Sequence, residues 1–308
     1  MKISVCTPTY NEKENILKLY SEIKKIFEDN NLEYEHVVID NNSDDGTIEI
    51  LKDICKKDKN FKVIINQKNY GHIRSPFYGL LQTSGDATIL MSSDFQDPVE
   101  LIPQYIEKWK SGKKIVLGKK ATSDETKIFF SLRNLYYKLL NLLSEDDLTL
   151  NTTGSGIFDK EVIEELKKIK DPYPYFRGLI TELGYKISFI SFNQPKRMAG
   201  KTKNNIFTLY DIAMLGLVKH SRKPLRFMVL VGFLSSFICF LTGLIYLFYK
   251  IIFWNSFSVG VAPIVIGLFL IASIQITLLG LVGEYIGVIL LNQKKTPLVV
   301  EKERINFN

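Results

Sequence analysis

Carboxylates gather in three short stretches of the N-terminal part of the chain: Asp40-Asn41-Asn42-Ser43-Asp44-Asp45-Gly46-Thr47, Gly85-Asp86, and Ser92-Ser93-Asp94-Phe95-Gln96-Asp97-Pro98. Each follows a short apolar run, so a fold that aligns those runs brings the acids to one rim. Such a group suits a hard divalent cation bridging the oxygens of a diphosphate, because magnesium takes oxygen ligands, commonly one or two carboxylates together with phosphate. Taken alone, Asp40 to Asp45 reads better as a helix-capping turn into Thr47. His72, behind Tyr70-Gly71, is titratable near neutrality, but its place in a loop does not assign it a base role.

The elements that must position these residues follow from periodicity. Ile3–Cys6, His36–Ile39, Lys62–Ile65 and Ala87–Met91 are β-branched or apolar runs that predict strands buried on both faces. Between them, Glu14–Phe27 and Thr47–Lys56 repeat apolar residues at helical spacing, and Pro76–Thr83 predicts a short third helix. The alternation predicts an α/β, doubly wound, mostly parallel sheet with ligands at the carboxyl ends of its strands. No GxGxxG follows the first strand, which runs into Thr7-Pro8-Thr9-Tyr10-Asn11-Glu12, so a dinucleotide site is unsupported. Two aromatic-rich helices are expected further on, over Lys127–Ser144 and Asn204–His220.

A hydrophobic fraction of 46% conceals two unlike regions. Between Arg226 and Glu284 the only charged side chain is Lys250. Phe227–Tyr249 and Val259–Gly283 are each long enough as helices to cross a hydrocarbon layer of about 30 Å. Lys219, Arg222, Lys223 and Arg226 precede the first and Lys294 and Lys295 follow the second, so the positive-inside rule puts both ends in the cytoplasm. Met1–Tyr10 has no signal-peptide pattern. The expected organisation is a cytoplasmic catalytic domain over 1–203, a juxtamembrane interfacial helix over 204–226, two transmembrane helices over 227–283, and a cytoplasmic tail over 284–308. Membrane lipids are then the natural partner of the basic cluster. The net charge of +7 needs no nucleic acid to explain it. Cys6, Cys55 and Cys239 have no metal-ligand spacing and read as packing residues. Small residues at Gly232, Gly243, Gly260, Gly267 and Gly280 permit close helix packing and a homo-oligomer.

The pieces SVCTPTYNEKENI, VVIDNNSDDGT, NYGH, SGDATILMSSDFQDPVELIP, KRMAGKTKNN, the apolar hairpin and GEYIG occur in the order that resembles the polyprenyl-phosphate branch of the family 2 glycosyltransferases. The resemblance spans nearly the whole chain and implies a GT-A-type fold with a C-terminal transmembrane hairpin. It implies that Thr7, Pro8, Tyr10, Glu12, Asp40 and Asn41 line the nucleotide of a nucleotide-sugar donor. Asp94 and Gln96 would hold Mg2+ or Mn2+, and Arg197 and Lys203, in RxxGxTK, would grip the donor diphosphate. The acceptor would be a polyprenyl phosphate, with Arg133 and Arg177 as candidates for its phosphate; a surface ion pair or a headgroup contact explains either arginine equally well.

Three departures stand out. Asn41 and Ser92 occupy positions where the family usually has aspartates, and Gly154 stands near the place of an aspartate often assigned as catalytic base. Asp159 lies five residues later and does not inherit that role. A phosphate monoester, with a second pKa of about 6, is largely dianionic at pH 7 and needs little deprotonation to attack an anomeric carbon. Inverting sugar transfer to a lipid phosphate is therefore the expected function. A processive polysaccharide synthase and a catalytically inactive scaffold are the alternatives. The former is disfavoured because Gln194-Pro195-Lys196-Arg197-Met198 lacks the tryptophan of QxxRW.

Overall fold

A computed structural model describes residues 1–122, 152–195, 214–215, 218–219, 223–253, 261–294 and 296–307. The chain opens with β1 (Lys2–Thr9), α1 (Ile16–Asp29), β2 (Glu33–Asp40), α2 (Thr47–Lys57), β3 (Phe61–Asn66), α3 (Gly71–Leu81) and β4 (Ala87–Leu90). It continues with α4 (Leu101–Lys110), β5 (Ile115–Thr122), β6 (Thr152–Asp159), α5 (Lys160–Lys168), α6 (Phe176–Glu182) and β7 (Ile187–Asn193). Two long helices, α7 (Lys223–Ile252) and α8 (Val261–Gln293), precede a last strand, β8 (Glu301–Ile305). The strands form one sheet in the order β7-β5-β6-β4-β1-β2-β3-β8. β1 runs parallel to β2 and β4, β2 to β3, and β5 to β7, whereas β6 and β8 run antiparallel to their neighbours.

Side chains that alternate along a strand serve two layers. Ile3 and Val5 pack with Leu19, Ile23 and Phe27 of α1 and Ile102 and Ile106 of α4. The next residue, Cys6, packs with Phe77 and Leu80 of α3 and Val162 and Leu166 of α5. Helix α3 lies so close to the sheet that a Cβ on Gly79 would fall 2.7 Å from Ile39 Cγ2, so glycine is required there by backbone approach. At the amino ends of the strands, buried Glu35 receives Lys2 and Lys62, each 2.8 Å away, and hydrogen bonds from Ser4 and Ser84. Burial alone would raise its pKa, but these donors outweigh it and pull the carboxyl down to about 2.

Three of the strands expected from sequence lie inside β1 to β3, the fourth overruns β4 by one residue at Met91, and two of the expected helices match α1 and α2 within two residues at each end. The third is corrected: α3 begins at Gly71, five residues before Pro76, and takes His72 out of a loop into its first turn. Just ahead of the helix the Asn69 side chain accepts from Gly71 N at 2.8 Å, and Pro76 lies inside the helix rather than at its first position. The segment after the second apolar stretch does not trail away. Its strand β8 completes the edge beyond β3.

Along α7 and α8 many of the described apolar side chains lie open, with Phe233 75% and Ile276 70% exposed, while Met228 is buried. Ile274–Gln293 is long and apolar enough to cross a membrane, and Leu225–Ile238 is a shorter apolar stretch. The helices expected over Lys127–Ser144 and most of Asn204–His220 lie outside the described residues, as do Arg133, Arg197 and Lys203.

Candidate active site

Strand order reverses at β1, whose chain goes outward through β2 and β3 and then returns to β4 on the other side. A crevice at the carboxyl ends of such strands is where open α/β sheets bind ligands. Register places Thr9 beside Asp40 and Cys6 beside Leu90, so the loops after β1, β2 and β4 leave the sheet together, whereas Gly85-Asp86, expected at the same rim, precedes β4 at the amino ends of the strands, where Asp86 Oδ2 accepts from Lys2 N at 2.9 Å. Two further bonds close the rim: Ser93 Oγ donates to Pro8 O at 3.1 Å, and Asn41 N donates to Thr9 O at 3.0 Å.

The first loops are held by their own polar side chains. Asp40 is fully buried and accepts from Ser43 N at 2.8 Å and Ser43 Oγ at 2.5 Å. Burial, joined by the charge of Asp45, raises its pKa despite those bonds. Asn11, in the left-handed region at φ 57°, donates its N–H to Ser43 Oγ and its side-chain amide to Asp44. Asp45 accepts from Thr47 N and Oγ1 at the start of α2, so the capping role and the strand-end role fall to different aspartates of one motif. Glu12 N donates to Thr47 Oγ1, and its carboxylate accepts from Asn15. Pro8 and Tyr10 are half-buried at the rim. Thr7, by contrast, is wholly buried, with Oγ1 3.0 Å from Nε2 of His36, which burial drives down to about 3 and keeps neutral.

Asn41 is a hub. Its amide donates to Asn69 Oδ1 at 2.8 Å and Gly71 O at 3.1 Å, while its Oδ1 accepts from Asn66 Nδ2 and Tyr70 N. All four hydrogen-bonding positions of the side chain are thereby filled within the protein. The Tyr70 ring it helps place has Lys68 Nζ at 5.3 Å and the Arg74 guanidinium at 5.1 Å.

The Asp94 loop carries a backbone outlier. Phe95 sits at φ 58° with its ring buried in the core, a conformation costing a bulky residue of order 1–3 kcal/mol. Asp94 is 7% exposed and accepts from Gln96 N at 3.2 Å. Ser92 and Asp97 form a strut: Asp97 Oδ2 accepts from Ser92 Oγ at 2.8 Å and from Ser155 Oγ of β6 at 2.6 Å. A carboxylate at 92 would repel Asp97, so serine at that position is a matched change. Spacing alone carried no signal for this strut, because Ser155 is distant in sequence. Among the described residues no three His, Cys, Asp or Glu side chains cluster as a cation site. Asp94 with the Gln96 amide thus fits a magnesium-like ion only if donor oxygens complete the shell.

Arg177 reaches this region from α6. Its Nε lies 3.7 Å from the place a Cβ on Gly154 would take. Burial, and then the positive charge of Arg177, push His72 below its usual pKa. The segment before α6 is anchored by Lys219, whose Nζ sits 2.6 and 2.7 Å from the Asp171 carboxylate and 2.7 Å from Tyr173 O.

The family model described as Glycosyl transferase family 2 matches residues 4–167, and the one described as GtrB C-terminal hairpin matches residues 223–289. The chain belongs to glycosyl transferase family 2. It is 31% identical over 302 residues to an uncharacterized glycosyltransferase of Bacillus subtilis (strain 168), covering 97% of this chain and 93% of that one. It is 30% identical over 303 residues to the prophage bactoprenol glucosyl transferase homolog of Escherichia coli (strain K12), covering 98% and 99%. The bactoprenol glucosyl transferase of Shigella phage SfX is also 30% identical, over 305 residues, covering 99% and 100%. Glucosyl-3-phosphoglycerate synthase from Mycobacterium tuberculosis, solved with Mn2+, UDP and phosphoglyceric acid, superposes with a TM-score of 0.52 at 19% identity, over 70% of this chain and 76% of that one. This likeness shows the GT-A-type fold. The chain is accordingly a glycosyltransferase whose catalytic sheet and C-terminal hairpin both match family models.

Proposed function

We propose that this glycosyltransferase moves a sugar, with inversion, from a nucleotide-diphosphate-sugar to the phosphate of a polyprenyl lipid at the cytoplasmic face of a membrane. The observation that carries this reading is the full-length likeness to bactoprenol glucosyl transferases, through both the catalytic sheet and the hairpin. An acceptor phosphate oxygen forms the new bond to the anomeric carbon while the bond from that carbon to the donor diphosphate breaks. One displacement inverts the centre. Because the acceptor is already dianionic, the protein's task is alignment and stabilisation of the departing diphosphate. Asp94 and Gln96 would hold Mg2+ or Mn2+, which when bound neutralises charge developing on that diphosphate. Arg197 and Lys203 supply cations, Arg177 and Arg133 bind the acceptor, and Pro8, Tyr10, Glu12 and the Asp40–Asn41 corner border the nucleotide. Thr7 contributes from beneath, through the strand.

The test is incubation of the full-length protein in lipid nanodiscs with undecaprenyl phosphate and a panel of radiolabelled nucleotide-sugars. Lipid-linked sugar is expected. Polymer would indicate a synthase, and no product a scaffold. Excess EDTA should stop turnover, and Asp94→Ala should lower it about 100-fold or more; full activity in either case overturns the metal assignment.

A further inference from the structure

Two cations grip the chain where it enters and where it leaves the apolar hairpin. On the way in, Lys219 Nζ lies 2.6 and 2.7 Å from the Asp171 carboxylate and 2.7 Å from Tyr173 O, in the segment that leads to α6. The pair is largely buried, its side chains 8% and 15% exposed. On the way out, the Arg74 guanidinium of α3 donates through Nε to Leu298 O at 2.8 Å and through Nη2 to Pro297 O at 2.5 Å. Gln67 N donates to Val300 O at 2.8 Å and Val299 is buried, so the exit is held residue after residue.

Both grips stand equally close to the apolar helices. Lys219 comes four residues before α7 begins at Lys223, and Pro297 four residues after α8 ends at Gln293. Four residues reach at most about 14 Å, which bounds how far either helix end can move from the catalytic body. The grips also act on one packed layer of the sheet. Phe77 of α3 meets Phe176 of α6 with ring centroids 6.2 Å apart, and Leu298 packs against the same apolar cluster.

We propose that Lys219 and Arg74 are positioning residues that mount the catalytic sheet on its hairpin at a fixed height and tilt, so that the crevice meets the phosphate of a lipid held in a bilayer. The proposal rests on the transfer to lipid phosphate argued above. A lipid whose chain stays in the bilayer presents its phosphate within a thin layer, and a site that wanders is in reach only part of the time. Being in reach about a tenth of the time raises the apparent acceptor constant about tenfold. Arginine suits the exit grip because its planar fork makes two fixed N–H bonds, where the single ammonium of lysine swivels.

The test loosens each grip in full-length protein held in lipid nanodiscs. The variants are Arg74→Gln, Lys219→Met, and an insertion of Gly-Gly-Ser between Lys295 and Thr296 that adds about 10 Å of slack and keeps both cations. With Cys6, Cys55 and Cys239 replaced, a dye on Lys57→Cys, exposed at the end of α2, reports energy transfer to headgroup-labelled lipid. Single-molecule transfer should be narrow in the parent and broadened in each loosened variant. The KM for undecaprenyl phosphate should rise about tenfold, while affinity for the nucleoside diphosphate of the active donor stays within about twofold. Unbroadened transfer, or broadened transfer with an unchanged acceptor KM, overturns the mount. So does a matching loss of diphosphate affinity, which would show a damaged crevice rather than a displaced one. Should Lys219→Met fail to fold, Arg74→Gln and the insertion decide. Wild type that makes no lipid-linked product defeats the underlying reading of the acceptor, and the energy-transfer arm still decides whether the grips hold the sheet in place.

Discussion

Asn41 illustrates how a departure from a family pattern can be structural. Its two amide hydrogens go to acceptors, Asn69 Oδ1 and Gly71 O, and its oxygen takes two donors. Aspartate at that position would turn a carboxylate oxygen toward two acceptors and leave them unpaired. We therefore expect Asn41→Asp to cost about 1–3 kcal/mol. Thermal unfolding should read this as a Tm lower by about 2–4 °C per kcal/mol; an unchanged or higher Tm would show that the hub is dispensable. The spacing of acids after apolar runs made Asp40 and Asp94 legible as strand-end residues. What each side chain touches was not legible. Thr7 and Pro8 differ by one position, and only the packed sheet shows that Thr7 points into the interior against His36.

Strands β1 to β4 were legible as apolar or β-branched runs and α1 and α2 from helical spacing, while β6 and β8 were not. β6 (TTGSGIFD) is rich in glycine and hydroxyl residues, so neither strand nor helix periodicity marks it. β8 (EKERI) is mostly charged and is a strand because of its partner: Lys52 pairs with Glu303 at 2.5 Å, and Tyr78 donates to Glu301 at 2.8 Å. Charge on an edge strand discourages further pairing, which suits its place at the margin of the sheet. Asn306 secures its end by donating to Cys55 O, Asp58 O and Phe61 O at 3.0, 3.2 and 2.8 Å. Asn306→Ala should cost about 1–2 kcal/mol by stranding those carbonyls. Faster proteolysis after α8 is the readout, and wild-type resistance would show the clamp to be idle.

At the scale of the whole molecule, the chain departs from the catalytic body before α7 and rejoins it after α8, where β8 pairs with β3 and Arg74 donates to Leu298 O at 2.8 Å. A segment that leaves and returns to one side crosses a membrane an even number of times. This argument is independent of flanking charge, and it matters because Lys219, counted among the basic flank, spends its charge on Asp171. With Cys6, Cys55 and Cys239 replaced, a cysteine at Asn255 should react with an impermeant maleimide added outside intact cells. One at Lys302, which is exposed on β8, should react only after the membrane is opened. The opposite pattern would place the catalytic sheet outside, away from cytosolic nucleotide-sugars.

The return of β8 also sets a schedule for synthesis. β3 is made early, yet the strand that covers its outer edge emerges from the ribosome only after both apolar helices. Until then the backbone donors and acceptors on that edge stay unpaired, a surface that invites association with other chains. Completion of the sheet is thereby made contingent on synthesis of the whole hairpin. A chain that stops short of β8 keeps that edge uncovered, so loss of the last strand would read to the cell as a defect in folding.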